Sequence, residues 1–386
     1  MADNKDKKVL KVPDLRFPEF TGEWQCKAIG KVAPLQRGFD LPTQNLVEGI
    51  YPVIYSNGIL QHHDKYKCEA PGLITGRSGT IGKFTYIDSG FYWPHNTSLW
   101  VTDFCGNCPK FIYYLYQTVH IEQFSTGSGV PTLNRNDVHR YKTFVPTAIV
   151  EQEKIAKFLS ILDERIATQN KIIEKYESLI QAICETLIES EQHKVELSFN
   201  DFGKPYSGLS GKSAEDFGNG WPYITYMNVY QNQIIDITDV GLVKINETEQ
   251  QSVVRYGDIL FTLSSETPDE VGMGAVYLGD AYPLYLNSFC FGVHITDESK
   301  IFPPFLAYYI STKSFRKAVF PLAQGCTRFN LQKSDFMKKK FLFPTVEKQN
   351  KIYSVLKAYS DKLSIEKNIA NLLCEQKSYL LRQLFI

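Results

Sequence analysis

No run in this 386-residue sequence approaches the roughly 18 consecutive apolar residues that a membrane-crossing helix requires, and no apolar segment follows the lysines between Met1 and Lys11. The expectation is a cytoplasmic protein without a membrane partner. Cysteine pairs are also scarce. The eight cysteines are scattered, and the one close pair, Cys105-Gly106-Asn107-Cys108, has no second pair at zinc-ligand spacing. Reduced structural thiols and no metal are therefore expected. His62-His63-Asp64 reads as a polar loop rather than a ligand set. Net charge is missing as well: 42 basic residues balance 42 acidic ones, which argues against indiscriminate nucleic-acid binding and moves attention to local patches.

Catalytic signatures are absent in the same way. Gly208-Leu209-Ser210-Gly211-Lys212-Ser213 looks like a phosphate-binding loop, yet Tyr206 stands where a glycine is needed and no apolar strand precedes it. Gly79 and Gly82 lack the third glycine of a dinucleotide fingerprint. Pro268-Asp269-Glu270 has no Glu-x-Lys following it, so it reads as an acidic turn rather than a nuclease site. No nucleophile and base pair stands out. Without an Asn-Pro-Pro-Phe type or glycine-rich motif, a methyltransferase or nuclease is disfavoured, and the chain is expected to be non-catalytic and to hold no cofactor of its own.

What the sequence does contain is a repeat. Val150-Glu151-Gln152-Glu153-Lys154-Ile155 near the middle answers Val346-Glu347-Lys348-Gln349-Asn350-Lys351-Ile352 near the end, each shortly after a Phe-Val-Pro or Phe-Leu-Phe-Pro strand end. Upstream, Tyr51-Pro52-Val53-Ile54 matches Trp221-Pro222-Tyr223-Ile224, with Asn57 and Asn228 shortly after each. Gly72-Leu73-Ile74-Thr75 matches Gly257-Asp258-Ile259-Leu260, Asn96 matches Asn287, and Phe111-Ile112-Tyr113-Tyr114 matches Phe305-Leu306-Ala307-Tyr308. Matches in one order imply a shared scaffold, and the differing spacings imply diverged surfaces.

Each copy runs into a heptad seam. Apolar positions step by four and three through Ile155, Leu159, Leu162 and Ile166, then Gln169, Ile173, Tyr176, Ile180, Ile183 and Leu187. A helix of that length rises roughly 50 Å at ~1.5 Å per residue, too long for one face of a compact domain. The second seam runs Ile352, Leu356, Tyr359 and Leu363, then Glu366, Ala370, Leu373, Lys377, Leu380 and Leu384. Antiparallel pairing would bring Gln169 and Glu366 together mid-helix and fix the register at some cost in stability; the alternative is that both face water.

Between the helices, Gly, Pro, Asn and aromatic residues interrupt short β-branched runs such as Tyr223-Ile224-Thr225-Tyr226 and Ile259-Leu260-Phe261-Thr262, with helices expected over 110–118 and 304–317. The fold class is thus α+β: globular segments 1–150 and 191–345 in tandem, separated and joined by long antiparallel coiled-coil helices at 151–190 and 346–386. Between Lys313 and Lys340, eight basic residues face the single acid Asp335, either a phosphate-facing surface or a solvated face. Two binding units on a rod suit a ligand with separated contacts at fixed distance, and DNA is one: such a rod spans roughly 14 base pairs.

The residues that carry a family resemblance are Phe144-Val145-Pro146 leading into Glu151-Gln152-Glu153-Lys154-Ile155-Ala156, Leu162-Asp163-Glu164-Arg165-Ile166, Gly72-Leu73-Ile74 before Ser78-Gly79-Thr80-Ile81-Gly82, and Thr126-Gly127-Ser128-Gly129-Val130 before Leu133. Over nearly the whole chain these resemble the specificity subunits of type I restriction-modification enzymes. The resemblance implies two target recognition domains, each reading one half of a bipartite asymmetric site in double-stranded DNA, with the helices setting the spacer. Two modification subunits carrying S-adenosylmethionine would dock on this frame, and restriction/translocase subunits using ATP and Mg would join them. A type IIB specificity chain and a coiled-coil scaffold that does not bind DNA are the alternatives. Under this resemblance, phosphate contacts are expected from Lys83, Arg135, Lys313, Arg316, Lys333 and Lys338. Base-edge contacts are expected from Asn57, Arg77, Ser78, Thr80, Ser264, Ser265 and Arg328.

Overall fold

A computed structural model describes residues 11–127 and 131–386. The lysines up to Lys8 and the Ser128-Gly129-Val130 part of the loop signature lie outside the described residues. The chain divides into two compact units, one formed by Met1–Asn170 with Asn368–Ile386 and the other by Lys171–Lys367. This grouping differs from four consecutive segments, because each long helix, Ile149–Glu189 (central) and Val346–Leu384 (C-terminal), gives residues to both units.

In the first unit, Gln25–Ala28 pairs antiparallel with Lys142–Val145 at the foot of the central helix. A four-stranded antiparallel sheet runs in the order Leu35–Arg37, Ser98–Val101, Gly72–Gly76 and Phe84–Ile87. Gly72–Gly76 is buried throughout, as an inner strand of β-branched and small residues should be. A second sheet is ordered Gly58–His63, Tyr51–Tyr55, Phe91–Pro94 and Cys68–Glu69, with Tyr51–Tyr55 parallel to Phe91–Pro94. The helix Pro109–Thr118 starts at a proline that has no N–H to satisfy, and it buries Phe111, Ile112, Tyr114, Leu115 and Tyr116.

The second unit repeats this plan. Lys194–Ser198 pairs with Lys340–Pro344, and the antiparallel sheet is ordered Gly203–Ser207, Cys290–Ile295, Ile259–Thr262 and Gly274–Val276. The smaller sheet is Val240–Val243, Phe217–Ile224 and Tyr285–Leu286, and Phe217–Ile224 is parallel to Tyr285–Leu286 just as Tyr51–Tyr55 is to Phe91–Pro94. Its core is built on phenylalanine: Phe199 stacks on Phe336 at 4.9 Å, Phe336 meets Phe261 at 4.8 Å, and Phe315 stacks on Phe341 at 4.7 Å. Offset and edge contacts of this kind add to the area such rings remove from water.

The seam positions of the two helices face these cores. In the first unit Ile155, Leu159 and Leu162 share a core with Leu373, Leu380 and Leu384, Ile166 packs at its margin, and the Lys377 amine pairs with Asp163 at 2.7 Å. In the second, Ile180, Cys184 and Ile188 share a core with Ile352 and Leu356, Leu363 packs at its margin, and Lys367 pairs with Glu177 at 2.7 Å. Early residues of one helix meet late residues of the other, so the pairing inside each unit is antiparallel. Ile173 is half-buried, while Gln169 and Glu366 are buried.

Three local expectations differ from the structure. The strand read through Tyr226 ends at Ile224, because Thr225 accepts a hydrogen bond from the Asn228 amide and caps the helix Tyr226–Gln231. The helix expected over 304–317 is two, Pro303–Tyr309 and Lys313–Val319, the second capped by Thr312. Asn57 and Asn228 are not counterparts: Asn57 lies exposed in a hairpin turn, whereas Asn228 is fully buried and donates to the carbonyls of Asp236 and Asp239.

Candidate nucleic-acid interface

Each unit carries an open cleft beside the loop after its inner strand; in the first unit it reaches the chain entering the short helix Arg135–Arg140, and in the second it does not reach the chain entering Lys333–Lys338. In the first unit the Leu133 amide donates to the Arg77 carbonyl at 2.8 Å, and Ser78 bridges to Thr132. Asn134 then caps the helix Arg135–Arg140 by accepting from the Asn136 amide at 3.0 Å, which presents Arg135 at the helix start. Gly76 is required in the strand because a side chain there would collide with the Thr80 carbonyl, so the Ser78–Thr80 loop folds back closely on the strand end. The cleft is ≈ 640 Å³ and lined by Arg37, Asp40, Arg77, Asn134, Arg135 and Asn136 among others. Arg37 pairs with Asp40 at 3.1 Å, and both are well exposed.

The equivalent geometry recurs in the second unit. The Leu331 amide donates to the Leu263 carbonyl at 2.8 Å, Ser264 and Ser265 pair with Asn330 and Phe329, and Lys333 opens the helix Lys333–Lys338 as Arg135 does in the first. Gly325 adopts φ +137°, and a side chain there would strike the Arg328 carbonyl, so glycine shapes the turn that presents Arg328. The cleft, ≈ 660 Å³, is lined by Tyr226, Tyr230, Ser264, Ser265, Glu266, Glu270 and Arg328 among others. The exposed Arg328 guanidinium lies 5.7 Å from the Phe289 ring. Glu270 accepts from the Ser265 hydroxyl at 3.1 Å. Hydrogen bonds from Tyr230, then Thr267 and Ser265, hold its carboxyl below the usual carboxylate range, so it is ionised at neutral pH.

The structure therefore brings Arg77 and Arg135 into one cleft and Ser264, Ser265 and Arg328 into the other, while Ser78 and Thr80, in the loop after Arg77, do not line the first. Asn57 and Lys83 are exposed in neighbouring loops and line neither. Lys338 is exposed, and Lys333 donates to the Ser207 hydroxyl at 3.1 Å. Lys313 pairs with Glu185 at 3.3 Å. Arg316 donates to the carbonyls of Asp269, Val271 and Gly272 at 2.7 Å each, and burial lowers its pKa. Its donors are committed to the backbone, so it serves as a brace. Sequence reasoning missed Arg37, Asp40, Asn134, Asn136, Tyr226, Tyr230 and Glu270. The triplet Asn134-Arg135-Asn136 directly after Leu133 was the available signal for two of them, Asn134 and Asn136; Glu270 gave only an acidic turn.

The Gly208–Ser213 segment is a loop in which Lys212 pairs with Glu249. His63 is buried and bonded to Val47, and no group of three His, Cys, Asp or Glu among the described residues could hold a metal ion. Cys105 and Cys108 are free thiols. No described helix is long and apolar enough to cross a membrane.

Two copies of one α+β unit sharing a pair of long helices, with corresponding loops that carry different polar side chains, define a duplicated recognition protein on a helical frame. The chain belongs to the type I restriction-modification DNA specificity family: the family model described as Type I restriction modification DNA specificity domain matches residues 21–178 and again 207–375. It is a specificity subunit with two repeated target-recognition domains, and its role is DNA-sequence recognition. Its fold is similar to the S subunit of a type I restriction-modification system from M. genitalium, at 19% identity over 97% of this chain and 99% of that chain with TM-score 0.58. It is also similar to a chain from a structure addressing complex assembly and conformational transition of the type I R-M system, at 14% identity, 93% and 96% coverage and TM-score 0.55. A comparison with curated protein sequences gave no match.

Proposed function

We propose that this chain is a cytoplasmic, non-catalytic subunit that directs partner subunits to a bipartite, asymmetric DNA site, each unit reading one half. Two modification subunits carrying S-adenosylmethionine would methylate adenine in the halves, and restriction/translocase subunits using ATP and Mg would complete the assembly. The observation that carries this reading is that loops held at corresponding places in the two units, after Arg77 by the Leu133 amide and after Leu263 by the Leu331 amide, carry different chemistry beside an open cleft. The first cleft presents Arg37, Arg77 and Arg135 against Asp40; the second presents Arg328 beside Glu266 and Glu270. Corresponding loops with unlike donors and acceptors are what two different half-sites require. Arg135, Lys333 and Lys338 supply positioning contacts to phosphate, and Arg77, Ser78, Ser264 and Arg328 face base edges.

The test is co-expression with the modification partner and mapping of adenine methylation across a genome by single-molecule sequencing. One bipartite motif with a fixed gap supports the proposal. An intact complex that leaves no methylation overturns it.

A further inference from the structure

A carboxylate in a DNA-facing cleft is unfavourable by default, because the phosphates surround it with negative potential. It becomes favourable where it accepts from a hydrogen-bond donor on a base edge. In the major groove the only such donors are the exocyclic amines, N4 of cytosine and N6 of adenine; guanine and thymine place acceptors there. Glu270 is such a carboxylate, and it is built in. Its turn, the 3₁₀ segment Pro268–Glu270, belongs to the insertion that follows Ser264-Ser265, where the first unit has only Ser78-Gly79-Thr80. The half-buried Arg316 guanidinium grips that turn by the carbonyls of Asp269, Val271 and Gly272, on both sides of Glu270. The buried Ser265 hydroxyl, fixed by strand pairing to Phe329, donates to Oε2. No ion pair joins Glu270 to Arg328 among the described residues, although both line the cleft, so neither neutralises the other. A carboxylate has about four acceptor positions, and the protein hydroxyls do not use them all.

We propose that Glu270 is a specificity-determining residue of the second unit, accepting from the exocyclic amine of cytosine or adenine on one strand and rejecting guanine and thymine there. The inference rests on the proposed DNA-reading role and names the base chemistry of that same cleft. Arg316 acts through it as a positioning residue, holding the turn.

The experiment uses the full chain assembled with its modification partner, with methylation motifs mapped for the wild type, E270A and E270Q. E270Q keeps an acceptor for Ser265, so it remains informative where E270A fails to assemble. The expected result is a motif unchanged in one half and in its gap, with one position of the other half losing roughly tenfold in its discrimination of amino from keto bases. E270Q separates the two sources: a position read as adenine is retained, because an amide pairs with adenine, and one read as cytosine drifts toward adenine. An unchanged motif at unchanged stringency overturns the proposal. So does a uniform rise in DNA affinity with the same motif, which would make Glu270 a charge that only repels phosphate. A wild-type assembly that yields no bipartite motif overturns the DNA-reading role itself and this inference with it, an outcome distinct from either.

Discussion

Gln152 does in the first unit what Gln349 does in the second. Each accepts through Oε1 from the backbone N–H that starts the unit's recurring helix, that of Cys108 at 2.9 Å and that of Phe302 at 2.8 Å. Each donates through Nε2 to the proline carbonyl that ends the preceding strand, Pro146 at 3.0 Å and Pro344 at 2.8 Å. The glutamine thus fastens a long helix to two other elements at once, which gives the repeated motif its physical reason. Eleven residues further along each helix, Asp163 and Ser360 accept from the hydroxyls of Tyr114 and Tyr308.

Replacing Gln152 or Gln349 with leucine leaves a buried amide and a buried carbonyl without a partner, at a cost of about 1–3 kcal/mol. Hydrogen exchange should show the loss within the unit that carries the change: faster exchange at Cys108 for Gln152→Leu and at Phe302 for Gln349→Leu. Equal protection in variant and wild type would remove the clamp's energetic role.

The residues just before the two glutamines invert charge. Glu151 is buried, receives both Nε and Nη2 of Arg16 at 2.7 and 2.9 Å, and accepts from the Trp24 indole at 3.1 Å. Its counterpart Lys348 pairs with Glu191 at 3.2 Å and is half exposed. Breaking a buried pair from one side costs about 3–5 kcal/mol, whereas an exposed pair contributes about 0–1 kcal/mol. Glu151→Ala should therefore lower the melting temperature strongly and Lys348→Ala hardly at all. Similar shifts would contradict the difference in burial.

Arg316 and Arg135 separate bracing from phosphate contact. Arg135→Ala should reduce the slope of log affinity against log salt by about one. Arg316→Ala should leave that slope unchanged, lower thermal stability and expose the backbone of 268–272 to hydrogen exchange. A reduced slope for Arg316→Ala would return it to the phosphate-contacting set.

Acid should weaken the second unit through its capping carboxylates. Asp201 accepts from the amide and hydroxyl of Ser198 at 2.7 and 2.8 Å, and Asp216 accepts from those of Ser213 at 2.8 and 3.0 Å. Backbone hydrogen bonds first, then those from the serine hydroxyls, lower both pKa values from 3.8. A depressed folded-state pKa stabilises above the unfolded value and loses that contribution as pH falls through the folded one. The unfolding midpoint should not respond to these groups at neutral pH and should decline below the ordinary carboxylate range, less steeply in Asp201→Asn. A decline of equal steepness in that variant would exclude the cap as its source.

The architecture was legible because helices and strands report their periods. Steps of four and three from Ile155 to Leu187 and from Ile352 to Leu384 mark the positions that face the cores, since burial selects apolar side chains at that spacing. Position in a local motif was less informative. Asn57 and Asn228 stand at similar offsets, yet one tips a hairpin and the other ties a loop from inside, a difference set by backbone conformation around them. Arg316 reads as one more cation in a basic run; its three carbonyl partners are more than forty residues away in sequence. Glu270 is conspicuous only when Arg328, Tyr230 and Ser265 are seen around it, and no spacing rule connects those four.

The sharing of the long helices also fixes an order of manufacture. Lys171–Lys367 is continuous in the chain, so everything its core requires exists before the last stretch is translated. The other unit begins earlier but waits for Asn368–Ile386, which brings Leu373, Leu380, Leu384 and Phe385 to Leu159 and Trp24 and pairs the Gln383 carbonyl with the Leu15 amide. On the ribosome, the half whose synthesis starts first is the one finished last, and its uncovered apolar seam is the part of the nascent protein most in need of protection.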